Sequence, residues 1–71
     1  MSKEKPYYLV SELKSVTRDE LEYFGSEINT TDKFDGKYVW DVTDSVIVQA
    51  KGNSSNSEWI ATDNSITIVP K

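Results

Sequence analysis

The amino-acid sequence predicts an α+β domain, with one short helix packed on a small, mainly antiparallel sheet in β-α-β-β-β-β order and the last strands joined as hairpins. Three observations carry this prediction. A complete helix start is written at residues 16–21. Four segments after Gly36 alternate along the chain with the period of two expected of strands, and turn-forming residues separate them at Asp35-Gly36, Thr43-Asp44, Gly52 to Ser57 and Asp63-Asn64. At 71 residues there is room for one domain, spanning 1–71, with residues 1–5 expected to fray.

Pro6 is placed to open the first strand, YYLVSEL, in which Tyr7, Leu9 and Leu13 share one parity and Tyr8 and Val10 the other. A competing pattern runs through the same region. Leu9, Leu13, Val16, Leu21, Phe24 and Ile28 recur near helical spacing, as in one continuous helix. The strand-then-helix reading is preferred, because Pro6-Tyr7-Tyr8 favours extended chain and Thr17 suits a cap better than a helix interior.

Thr17 and Glu20 have the spacing of a capping box, Val16 and Leu21 that of a hydrophobic staple, and Asp19 and Glu20 place negative charge at the amide-rich end of the helix. The helix is expected to turn Leu21, Phe24 and Ile28 inward, running past Gly25 rather than ending there. So short a helix is stable only when its apolar stripe lies on another element.

The sheet is expected from KYVWDV, SVIVQA, EWIAT and SITIV. In these, Tyr38, Trp40 and Val42 are assigned to the covered face of the first segment, Val46, Val48 and Ala50 to that of the second, and Ile66 and Ile68 to that of the last. Asp63-Asn64 suits a two-residue turn, since Asn tolerates positive φ, and GNSSNS reads as a flexible polar hairpin loop. A small closed or half-open barrel is the alternative architecture.

The composition restricts chemistry. With no cysteine and no histidine, disulfides and thiolate or imidazole metal ligands are excluded, and no nucleophile and base pair can be assembled. The carboxylate pairs Asp41 with Asp44 and Asp32 with Asp35 read as turn residues rather than an acid/base pair. The DKFDG stretch offers two carboxylates without a calcium-loop signature, and the three glycines are isolated, so no cofactor and no metal are expected. Asn29-Thr30-Thr31 and Asn53-Ser54-Ser55 match the glycosylation pattern but read as polar loop residues. The short apolar run at Tyr7 to Val10 makes neither a signal-peptide core nor a membrane span, and a cytoplasmic location is expected.

Net charge is −4, and the segment from Thr17 to Asp35 carries all of it: Asp19, Glu20, Glu22, Glu27, Asp32 and Asp35 stand against Arg18 and Lys33. Direct nucleic-acid binding is disfavoured, because it requires a clustered cationic surface. The expected function is therefore that of a non-enzymatic protein-binding module, an inhibitor or regulator of a larger macromolecular machine. Its contact surface would combine the acidic residues Asp19, Glu22, Glu27, Asp32 and Asp35 with exposed aromatics, Tyr8 and Trp59 being the candidates. The partner would be a heterologous protein, basic or nucleic-acid-handling, and small size with polar loops is in keeping with a bacteriophage accessory protein. The alternative is a structural subunit of a cytoplasmic or virion assembly that forms homo-oligomers through a sheet edge.

Overall fold

A computed structural model of the chain describes residues 13–71. The strand expected at Tyr7 to Leu13, and with it Tyr8, lies outside the described residues apart from Leu13. The first described strand, β1, is Ser15–Val16, followed by α1 at Arg18–Glu22, α2 at Glu27–Thr30, β2 at Tyr38–Asp41, β3 at Val46–Ala50, β4 at Trp59–Ala61 and β5 at Thr67–Ile68. The strands form one open sheet in the order β1-β2-β3-β4-β5. β1 pairs parallel with β2, and the other neighbours are antiparallel. Short helices on a largely antiparallel open sheet are the α+β class expected, and the barrel is ruled out.

Helix α1 starts where the sequence writes its start. The Glu20 N–H donates to Thr17 Oγ1 at 3.2 Å and the Thr17 N–H to Glu20 Oε1 at 2.8 Å, so both halves of the capping box are made. Such a cap contributes about 1 kcal/mol. Val16 and Leu21, the two staple positions, are both buried.

The helix does not continue to Ile28. It stops at Glu22; Tyr23 is extended, the chain turns through Phe24 and Gly25, and Ser26 opens α2. The cause is the satisfaction of carbonyls at the end of α1. Ser26 Oγ donates to Glu20 O, and Asn29 Nδ2 donates to Leu21 O at 3.0 Å and Tyr23 O at 2.9 Å. A chain folding back on itself thus supplies the partners that a further helical turn would have supplied. Tyr23 and Phe24 are then anchored from the other end of the chain: Lys71 N donates to Glu22 O at 2.8 Å and Phe24 N to Lys71 O at 3.0 Å. Phe24 is consequently exposed instead of inward-facing, while Leu21 and Ile28 are core as expected.

The buried face of the sheet reads Val16, Val39, Val48, Ala50, Trp59, Ala61 and Ile68, joined by Leu21 and Ile28 from the helices. The expected faces of β3 and β5 are observed. That of β2 is inverted: Val39 and Asp41 are fully buried, Trp40 is half-buried, and Tyr38 and Val42 are exposed. Both parities of KYVWDV carry apolar residues, so hydrophobicity alone could not choose. The turn decides, because Asp41 Oδ1 accepts from the Thr43 N–H at 3.0 Å and the Asp44 N–H at 3.1 Å. Inward placement of Asp41 brings Val39 in with it.

Two connections are longer than expected. Residues 62–66 join β4 to β5, with Asn64 at φ 64° as its tolerance of positive φ foretold and Asp63 Oδ1 accepting from Ser65 N at 2.9 Å. The Gly52 to Ser57 loop is organised by its own side chains. Ser54 N donates to Ser57 Oγ at 3.1 Å and Asn56 N to Ser54 Oγ at 3.1 Å, so apolar anchors are not needed.

Candidate functional site

The helical corner combines charge with exposed aromatic surface. Asp19, Glu20 and Glu22 on α1 and Glu27 at the start of α2 are all exposed, and the only basic side chain on these two helices is Arg18. Arg18 is engaged on two sides, with Nε 3.0 Å from Glu22 Oε2 and Nη1 3.3 Å from Asp44 Oδ1. Between the helices stand Tyr23, 59 % exposed, and Phe24, 45 % exposed, their rings edge to face with centroids 5.7 Å apart. The Tyr23 ring lies over Gly25, where a Cβ would come within 2.8 Å of it, so the glycine expected inside a longer helix instead makes room for an aromatic ring.

The predicted acidic residues do not form one continuous patch. Glu22 lines a depression of about 420 Å³ with Arg18, Lys71 and β5 residues. Glu27 and Asp32 line a separate one of about 130 Å³, which also contains Lys14 and Lys37. Asp32 adopts φ 58°, and its carbonyl accepts from Lys37 Nζ at 2.9 Å; Asp35 is exposed in the turn before β2. Each acidic depression is thus partly neutralised by lysine or arginine; of the exposed carboxylates on the two helices, Asp19 and Glu20 line neither depression. Tyr8 lies outside the described residues.

Trp59, offered by the sequence as a surface anchor, is fully buried and anchors the interior instead. Its Nε1 donates to Asn29 Oδ1 at 2.8 Å, and the same oxygen accepts from Lys33 Nζ at 2.9 Å. Lys33 Nζ also donates to Ser57 O at 2.6 Å and lies 4.9 Å from the centroid of the Trp59 ring, a cation–π distance. One buried Asn side chain therefore caps α1 with its nitrogen and links α2, the loop after it and β4 with its oxygen. Desolvation lowers the Lys33 pKa to about 8. Nothing along the chain marks this knot beyond the i,i+4 spacing of Asn29 and Lys33, which any polar helix shares. Asn29 belongs to the first glycosylation pattern, and its burial removes it from reach of modification.

Among the described residues, no three or more His, Cys, Asp or Glu side chains converge as a metal-binding group, and no helix is long and apolar enough to cross a membrane. Comparison of the chain with protein-family models, with curated proteins and with solved structures gave no match in any of the three.

Proposed function

We propose that this chain is a non-enzymatic protein-binding module, an inhibitor or regulator of a larger macromolecular machine, which acts in the cytoplasm on a basic, nucleic-acid-handling protein. The observation that carries the reading is the Tyr23–Phe24 pair. Two large aromatic side chains are held in the open at a corner whose backbone is fixed by hydrogen bonds to Lys71, and acidic residues border them on both helices. Aromatic side chains ordered before binding supply contact area at low entropic cost, and exposed acidic neighbours accelerate encounter with a basic surface. The burial of Trp59 moves its part of the aromatic surface to Tyr23 and Phe24, while Asp19, Glu22 and Glu27 remain the charged part.

The alternative is assembly through a sheet edge. It draws on β5, which pairs with β4 and leaves Thr67 and Val69 exposed on the margin of the sheet.

Affinity capture from the native host, using the wild-type chain and a Tyr23→Ser/Phe24→Ser variant as paired baits, tests the first reading. A stoichiometric partner is expected on the wild type, reduced at least tenfold on the variant and weakened by Glu22→Lys/Glu27→Lys at low salt. A partner retained equally by all baits contradicts the assigned surface. Concentration-dependent mass in sedimentation of the isolated chain would favour the assembly reading instead.

A further inference from the structure

Asp41 stands apart from the binding surface and from the Asn29 knot. It is a fully buried carboxylate at the end of β2, flanked in register by Val16 of β1 and Val46 of β3. Its Oδ1 takes the Thr43 and Asp44 N–H groups, but its Oδ2 is buried with no hydrogen-bond partner. A charged oxygen left so is strongly disfavoured, whereas a protonated one becomes a donor in need of an acceptor. The Asp44 carboxylate is the acceptor at hand. It is held from α1 by Arg18 Nη1, at 3.3 and 3.5 Å to its two oxygens, and the same turn receives the Arg18 N–H on Thr43 Oγ1 at 3.1 Å.

We infer that Asp41 is a proton-operated latch. As the neutral acid it donates from Oδ2 to the Asp44 carboxylate, and through Arg18 this fastens the β2–β3 turn to the first turn of α1. When the proton leaves to solvent, a second carboxylate charge appears beside that of Asp44, on a side chain the core cannot solvate, and the turn is pushed off the helix. The charged groups that face Asp41 among the described residues are Asp44 in the turn and, behind it, Arg18 with its second partner Glu22. Burial is the main cause that moves the Asp41 titration above the usual aspartate range, and the carboxylate of Asp44 adds to it.

The consequence is a pH-sensitive contact, next to the acidic helix but independent of whether that helix binds a partner. The folded-state pKa is raised, so the folded chain holds more protons than the unfolded one between the two titration points. This group's contribution to stability is then complete below the unfolded value and is lost as pH rises through the folded one.

Carboxyl-carbon NMR titration of the full chain reads the proton directly. The Asp41 signal is expected to titrate above the unfolded-peptide value, with the Thr43, Asp44 and Arg18 amide shifts moving at the same midpoint. In Asp41→Asn the amide nitrogen replaces the proton permanently, and those three amides should lose their pH dependence. In Asp44→Asn the Asp41 midpoint should move down towards the ordinary aspartate value. An Asp41 carboxyl that titrates at or below that value in the wild type, or turn amides that ignore its midpoint, overturns the latch; the wild-type titration decides this even if a variant fails to fold.

Discussion

Replacing Trp59 by alanine is expected to remove most of the stability of the chain. Truncating a fully buried tryptophan costs about 3 to 5 kcal/mol through lost apolar burial and the cavity left behind. Here the Asn29 Oδ1 also loses its indole donor, and Lys33 loses the ring beneath its ammonium. A domain of this size has a total stability of roughly 4 to 10 kcal/mol, so the variant should be largely unfolded near 37 °C. Trp59→Phe keeps most of the volume and forfeits the hydrogen bond, for a smaller loss of about 1 to 3 kcal/mol. Urea unfolding followed by circular dichroism distinguishes the three proteins. A Trp59→Ala midpoint close to that of the wild type would mean that the indole is not the centre of the core.

The second large effect is a dependence on alkaline pH. Lys33 has its pKa lowered to about 8 by burial, against 10.5 for the unconstrained side chain. Below pH 8 the folded state holds a desolvated ammonium whose solvation the unfolded state does not forfeit. From pH 8 to 10.5 the unfolded chain binds the extra proton, and stability should rise with pH by up to about 3 kcal/mol. Above 10.5 the amine is neutral in both states and the gain is complete. Asn29 Oδ1 and Ser57 O still receive hydrogen bonds from the neutral amine, which is why the fold can tolerate the titration. Tyrosines ionise in the same range, so the informative quantity is the difference between the wild type and Lys33→Met, in which their contributions cancel. That difference should grow in favour of the wild type between pH 8 and 10.5; parallel curves would show that Lys33 is solvated in the folded protein.

What the sequence makes legible here is what is decided locally. The capping box at Thr17 and Glu20 is chemistry within four residues, and it is found as written. The covered faces of β3 and β5 were readable because Gln49 and Thr67 mark the opposite parity. The face of β2 was not, since Tyr38, Val39, Trp40 and Val42 are apolar on both sides and the choice fell to the hydrogen bonds of Asp41 in the next turn. The break after Glu22 is not legible, since Gly25 is compatible with a helix that runs on to Ile28. The carbonyls of α1 are in fact capped by an Asn side chain up to nine residues further on.

The candidate site follows the same division. The exposure of Asp19, Glu22 and Glu27 could be expected from their charge alone. The exchange of roles between Trp59 and the Tyr23–Phe24 pair could not, because it depends on Asn29 meeting a tryptophan thirty residues away. A lysine near the core is also the residue that composition argues least for, as lysine is seldom buried without a partner. Lys33 is buried because its ammonium finds two oxygens and an aromatic face.

The central claim is that a buried knot of Asn29, Lys33 and Trp59 fastens the helical corner to the sheet and thereby sets out Tyr23 and Phe24 at the surface. Hydrogen exchange of the two indole N–H groups, assigned with Trp40→Phe, tests it most directly. The Trp59 indole proton should exchange only as slowly as the most protected sheet amides, and Lys33→Met or Asn29→Ala should accelerate it by at least tenfold. A Trp59 indole proton that exchanges within the dead time in the wild-type protein would contradict the account.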